Sequence, residues 1–380
     1  MNSKIASLCV ICLANLISTP LLAQTPFPDI IRPDRPDPPN LPKPEPLPPL
    51  EDLLPPPTTP LNPQVPAIKA PERITVKKFE VKGNTVLNKQ EIEKILAPYI
   101  GRSLTFSELF QIRDLITQLY VNQGYITSGA LIPPQTIKNG VVTIQIVEGG
   151  IETVNVTGTK RLNSNYIRLR LPKSQPLNQQ RLLQALQLLQ LNPLIENISA
   201  ELATGSRLNT TVLNVRVSEA KTFSTQLIVD NGRSPSVGSF RRQVGFTQAN
   251  FLGLGDGISL TYSNTDGSNG IDGIYTLPIN SRNGTISLSG GFNDSNVIEE
   301  PFNALDIIGN SRYYELTLRQ PVMETPNEIF TLGLTASRLE SDISSDVLED
   351  VEYPLPLLSP GADENGRTKV SAIRFFQQFG

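Results

Sequence analysis

The sequence predicts α+β repeats of strand–helix–helix–strand–strand order, followed by antiparallel transmembrane β strands that form an incomplete barrel. Three observations carry this. One pattern of about 75 residues occurs twice between Arg73 and Ala220. Helical periodicity ends near Phe223. From there, apolar residues alternate with small or polar ones in one short run after another.

The chain opens with MNSKIASLCVICLANLISTPLLAQ. Lys4 supplies a positive start, Ile5 to Ile17 a mostly apolar stretch, and Leu21-Leu22-Ala23 a cleavage site before Gln24, the layout of a secretory signal peptide over residues 1–24. A short buried helix or membrane anchor is the plainer alternative. Cys12 lies inside the apolar stretch, which argues against a lipoprotein. Cys9 and Cys12 are the only cysteines and there is no histidine. A processed chain therefore carries no disulfide, thiol nucleophile or Cys/His metal site. With 33 basic and 36 acidic side chains, it lacks the clustered cations that nucleic acid demands. No later segment offers the run of about 18 apolar residues that a transmembrane helix needs.

Residues 25–72 form a proline-rich linker. Between Gln24 and Pro71 stand 18 prolines in 48 residues; proline removes backbone donors and fixes φ, so extended polyproline II is expected. One reading is a spacer that crosses part of the periplasm or touches peptidoglycan; a plain tether is the other.

The first repeat starts with the strand 74–81, which stops at Gly83-Asn84. A short helix is expected near 89–96. A longer one starts at Thr105, which has capping-box spacing to Glu108, and Leu109, Ile112, Ile116, Leu119 and Tyr120 mark its buried face. Gly124 stops it, and strands 125–132 and 141–147 close the unit. The second copy begins at 151–156 and stops at Gly158. Its helix, 178–190, has Leu182, Leu183, Leu186 and Leu189 on one side and Gln179, Gln180, Gln184 and Gln187 on the other. Strands 195–202 and 211–217 complete it. Leucines at this spacing read as core.

Beyond Phe223, Ile258, Leu260 and Tyr262 alternate with Ser259, Thr261 and Ser263, and similar runs lie around Ile286, Leu316 and Leu332. A soluble β-sandwich gives the same alternation. Export, aromatic residues near strand ends and persistence over many segments favour a membrane barrel.

Phe79-Glu80-Val81-Lys82-Gly83-Asn84-Thr85, Ile116-Thr117-Gln118-Leu119-Tyr120, Asn122-Gln123-Gly124-Tyr125-Ile126-Thr127-Ser128 and Ile144-Gln145-Ile146-Val147-Glu148-Gly149 resemble a POTRA domain. More narrowly, they resemble the first POTRA of the hemolysin secretion/activation transporters of two-partner secretion. Asp230-Asn231-Gly232 through Gly238, with Asn250-Phe251-Leu252-Gly253-Leu254-Gly255-Asp256, resembles the opening barrel hairpin of that family. The resemblance implies a division into POTRA 1 (73–149), POTRA 2 (150–221) and the N-terminal part of an outer-membrane β-barrel (222–380). The POTRA domains lie in the periplasm and the barrel contacts outer-membrane lipid. A large secreted exoprotein is the implied client, docking by its N-terminal secretion domain and passing through the barrel. An assembly factor of the same superfamily, or an exported POTRA-containing binding module, are the alternative functions.

An extended client can add a strand to an open sheet edge. The expected receiving surface is strand 125–132 beside helix 105–123, with Gln118, Tyr125, Thr127 and Ser128 as client-binding residues; for each, a purely structural role is the alternative. Residues 223–380 provide about eight strands at about ten residues each. The family's arginine-containing loop motif is missing and the pattern stops at Phe375-Phe376-Gln377-Gln378-Phe379-Gly380, which reads as a truncated barrel. Gly253-Leu254-Gly255-Asp256-Gly257 lacks the helix and Lys-Ser/Thr pair of a phosphate loop and reads as a turn. The carboxylates between Glu340 and Glu352 read as an acidic extracellular loop. No catalytic, cofactor or metal residues are expected, and the chain does not read as an enzyme.

Overall fold

The structure is a computed structural model that describes Leu53 and residues 73–207, 210–348, 351–354 and 361–380. The expected signal peptide and, Leu53 apart, the proline-rich linker lie outside these residues.

The first unit follows from its helix signals. Strand β1 (Ile74–Thr75) is followed by β2 (Lys78–Lys82), helix α1 (Lys89–Leu96), β3 (Ser103–Leu104), α2 (Phe106–Asn122), β4 (Gly129–Leu131) and β5 (Val141–Val147). β1 pairs with β3, and the main sheet runs β2-β5-β4 with β2 and β5 parallel. Asn88 caps α1 by accepting from the Gln90 amide. Thr105 and Glu108 close a reciprocal box at the start of α2, which satisfies amides that the first turn would leave unpaired. Leu109, Ile112, Ile116 and Tyr120 of α2 are buried in one cluster with Val142, Ile144 and Ile146 of β5.

The second unit has the same order: β6 (Gly150–Thr157), α3 (Ser164–Arg168), α4 (Gln179–Gln190), β7 (Ile195–Thr204) and β8 (Thr210–Glu219), with sheet order β6-β8-β7. Its core gathers Leu182, Leu186, Leu189, Leu213 and Val215. Leu53, from the proline-rich tract, is 1% exposed in this same core. The tract is therefore seated on the second unit at that point.

The two units share a backbone device. Gly83 and Gly158 both have φ of +88°. A Cβ at either would collide with a carbonyl of the central strand, that of Ile146 or Val217, so the close approach requires glycine. Two residues past that carbonyl stands a glutamate whose carboxylate holds the loop after the glycine. Glu148 accepts from the Thr85 and Val86 amides at 2.7 and 3.3 Å and from the Thr85 hydroxyl. Glu219 accepts from the Lys160, Arg161 and Leu162 amides at 2.5–3.0 Å.

The remainder is one antiparallel meander: β9 (Phe223–Asp230), β10 (Arg241–Ala249), β11 (Gly257–Asn264), β12 (Ser268–Pro278), β13 (Thr285–Asn296), β14 (Ile307–Glu324), β15 (Ile329–Leu348), β16 (Val351–Pro354) and β17 (Arg367–Phe379). Neighbours in sequence pair up to β15, whose far side is shared by β16 and β17. Among the described residues β9 and β17 do not pair, so the sheet is open.

Register assigns the two faces. Leu277, Ile286, Leu318, Leu334 and Phe375 form one cross-strand row, and Tyr275, Leu288, Leu316, Ala336 and Ile373 the next. Such side chains stand on the outside of the sheet; Leu227 and Ile373 are both 77% exposed. A row on the other face reads Thr276, Ser287, Thr317, Thr335. Its hydroxyls pair at 2.8 Å (Thr276–Ser287) and 2.9 Å (Thr317–Thr335). An apolar outside and a polar inside are the alternation of a membrane barrel.

Two expectations change. Tyr125–Ser128 form turns and only Gly129–Leu131 is strand, because Gly124 and the join to the next unit demand a bend there. Glu340 and Asp342 lie inside β15 rather than in a loop. Glu340 is held by Arg312 and Arg338, and Asp342 by Arg367, so the pairing of long strands carries the charges.

Candidate functional site

Three places in the fold carry chemistry beyond packing: the join between the two α+β units, the free edge of β7, and the join between the second unit and the sheet.

The expected site residues gather at the first join, with one exception. Thr127 donates through its hydroxyl to the Gly149 carbonyl at 3.0 Å. The buried Ser128 accepts from the Gly149 amide at 3.1 Å. Tyr125 sets its ring edge-on against Tyr120, with centroids 6.2 Å apart. From the other side, the Leu177 amide donates to Gly149 and the Gln179 amide to Gly124, both at 2.8 Å. Main-chain groups thus bind the start of α4 to the end of α2. Gln118 is the exception: it lies exposed on α2 and donates to Asn122 at 2.8 Å. The edge of β4 is capped by α2, since the Ala130 amide donates to the Thr117 hydroxyl at 3.0 Å.

The second unit has a longer edge. Among the described residues β7 pairs only with β8. At its start the Gln190 side chain acts as a short stand-in strand, accepting from the Ile198 amide and donating to the Glu196 carbonyl, both at 3.0 Å. Backbone groups of alternate residues point to the same side of a strand, so Ala200 and Leu202 present theirs outward, and among the described residues no side chain pairs with them. Sequence reasoning missed this edge. Gln190, the last glutamine of α4, was the available signal, since a helix-terminal glutamine can bond a neighbouring edge.

The second join centres on Tyr166. Arg170 stacks over its ring at 3.6 Å, the Asn192 amide donates to its hydroxyl at 2.9 Å, and Gly255 of the β10–β11 turn lies so close that a Cβ would enter the ring. The Asn163 amide donates to the Gly253 carbonyl at 2.8 Å. Arg170 donates through Nε to Asn283 Oδ1 at 2.8 Å, and the Asn283 amide donates to Glu324. Burial pulls the Arg170 guanidinium below its ordinary value. Between these elements lies a cavity of about 270 Å³ bordered by Arg170, Leu188, Arg282 and Glu324.

Electrostatics elsewhere in the units are structural. The Ser206 and Thr210 hydroxyls bring the Glu152 carboxyl down to about 2. Burial, with Glu148 beside it, pushes the Tyr120 phenol up. Among the described residues no group of three or more His, Cys, Asp or Glu side chains could hold a metal ion, and no helix is long and apolar enough to cross a membrane.

Comparison with known proteins agrees with this layout. Residues 74–149 match the family profile "POTRA domain, ShlB-type". Residues 209–352 match "Haemolysin secretion/activation protein ShlB/FhaC/HecB". The chain is 24% identical over 246 residues to the heme/hemopexin transporter protein HuxB of Haemophilus influenzae, covering 62% of this chain and 43% of that one. It is 27% identical over 185 residues to the outer membrane transporter CdiB of Escherichia coli, covering 48% of this chain and 31% of that one. It therefore spans less than half the length of these relatives. The solved structure of CdiB from Escherichia coli superposes with a TM-score of 0.53 at 20% identity, covering 87% of this chain and 60% of that one, a likeness of fold.

Proposed function

From a chain that carries the ShlB-type POTRA domain and the haemolysin secretion/activation segment, we propose that it acts in the outer membrane as the transporter of a two-partner secretion system. Residues 73–149 and 150–221 are two periplasmic POTRA domains, and 222–380 is the N-terminal part of the barrel. The client is a large secreted protein that docks on the periplasmic units and leaves through the barrel. The observation that supports this best is the two-faced sheet, whose apolar rows stand outside while hydroxyl rows line the inside.

Docking of an extended client segment is a strand addition, because an unpaired edge offers main-chain donors and acceptors whatever the client sequence. The edge of β7 at Ala200 and Leu202 suits this. Gln118 serves as a polar contact on the exposed face of α2. Tyr125, Thr127 and Ser128 serve the client indirectly, by fixing the angle between the units.

The test joins both halves of the proposal. The protein, refolded in detergent, runs faster unheated than heated on a gel. A photo-crosslinker at Leu202 captures the purified N-terminal segment of the secreted partner more strongly than one at Leu131. A folded, soluble monomer without detergent overturns the transporter, and equal capture at both positions overturns the docking edge.

A further inference from the structure

The β10–β11 turn is built inside out. Its polar residues turn inward: the buried Asp256 carboxylate accepts from the Leu252 amide at 2.9 Å and the Leu254 amide at 3.3 Å, and the buried Asn250 accepts from the Gly255 amide at 3.0 Å. Its apolar residues, Phe251, Leu252 and Leu254, are left exposed, Leu252 at 64%. A tight turn needs no large apolar side chains, and three in one seven-residue turn make an apolar patch rather than isolated exposure.

Two contacts fix where this patch faces. The Tyr275 hydroxyl donates to Asp256 at 3.0 Å, and Tyr275 belongs to the outward apolar row with Leu288 and Leu316. The turn thus hangs from the outer, apolar face of the sheet. On its other side it is bound to the second unit through Asn163 and Tyr166. One helical turn beyond Tyr166 stands Leu169, itself 60% exposed. Exposed Lys160 and Arg161 flank the contact, with Arg161 donating to the Phe251 carbonyl at 3.2 Å. Apolar side chains rimmed by Lys and Arg at the end of a lipid-facing sheet match the headgroup–acyl boundary, where anionic headgroups attract the cations.

We infer that Phe251, Leu252 and Leu254, with Leu169 of the second unit, form an apolar foot that inserts into the periplasm-facing leaflet of the membrane and seats the second unit against the lipid surface. This rests on the proposal that the sheet spans a bilayer. It adds that an α+β unit, and not only the barrel, contacts lipid. Bound on one side by main-chain hydrogen bonds and on the other by lipid, the second unit is held at a fixed height below the pore.

The absence of tryptophan from the chain makes a clean test. Single-tryptophan proteins Leu252→Trp, Leu288→Trp and Ile100→Trp are reconstituted in vesicles of phosphatidylcholine and phosphatidylglycerol, with and without bromine near the top of the acyl chains. An interfacial side chain buries about 5–10 Å into the boundary, so Leu252→Trp should lose about half its emission to brominated lipid. Leu288→Trp, in the lipid-facing row, is quenched as well, and Ile100→Trp, exposed on the first unit, is not. Quenching of Leu288→Trp without Leu252→Trp overturns the foot and leaves the barrel standing. No quenching at either position overturns both. Equal quenching at Ile100→Trp shows general adhesion to the vesicle and also overturns the foot.

Discussion

Glu152 shows how one carboxylate ties a loop to a strand. Its oxygens accept from the Ser206 hydroxyl at 2.6 Å and the Thr210 hydroxyl at 2.5 Å. These bonds favour the ionised form and bring the carboxyl from the ordinary 4.5 down to about 2. A carboxyl depressed in the folded state stabilises it above the unfolded value, and that contribution is lost as pH falls between these limits. Glu152→Gln should therefore be less stable than the parent at neutral pH, and the difference should shrink as pH drops from about 4.5 towards about 2. Hydrogen-exchange protection of β8 measured across that range checks it; a difference independent of pH would refute the assignment. At this scale the sequence was only partly legible. Thr127 and Ser128 look alike on paper whether they line an edge or pin a neighbouring glycine. What separates the two is Gly149, about 70 Å of contour away in an extended chain at about 3.3 Å per residue, and sequence periodicity does not report such a contact.

Strands and helices were easier to read, because burial imposes a period on them. The Thr105–Glu108 spacing and the Leu109, Ile112, Ile116 stripe located α2, and its cap and buried face follow that pattern. Serine and threonine alternating with leucine located β11 and β13. Strand ends were less legible: β14 and β15 have 18 and 20 residues, against about 9–11 for crossing a bilayer. The surplus length carries Arg312, Glu340 and Asp342, and the two carboxylates read as a loop in the sequence because their charges lie outside any apolar belt. In the belt itself, charge is costly. Leu316→Arg should destabilise the membrane-folded protein by about 2–4 kcal/mol, the cost of a cation at mid-bilayer, whereas Thr317→Arg on the opposite face should cost much less. Equilibrium unfolding from vesicles in denaturant distinguishes them; a larger cost for Thr317→Arg would mean that the two faces are exchanged, and equal costs would refute a two-faced sheet.

For the molecule as a whole, the joins matter more than the parts. The first unit, the second unit and the sheet are connected by hydrogen bonds to main-chain carbonyls at Gly124, Gly149 and Gly253, so sequence drift at neighbouring side chains leaves the joins intact. Arg170 and Arg161 add side-chain bonds across the join between the second unit and the sheet. Arg170→Ala should leave both sides folded but broaden the distance distribution between spin labels placed at Glu201→Cys and Lys369→Cys; an unchanged distribution would show that Arg170 does not set the angle. The repeat, the change of architecture near Phe223 and the family likeness were all visible in the sequence, since each is a property of many residues at once. The joins were not, because each depends on single glycines whose role is defined by what approaches them.

The seat of Leu53 has a mechanical consequence. Leu53 of the proline-rich tract is held in the core of the second unit, while the first described strand of the first unit begins at Ile74. Tension applied to the tract from its N-terminal side is therefore transmitted to the second unit first, and the first unit is loaded only after Leu53 has been pulled free. The load path crosses the two units in the reverse of their order along the chain, so the unit nearer the N-terminus is the one shielded from force.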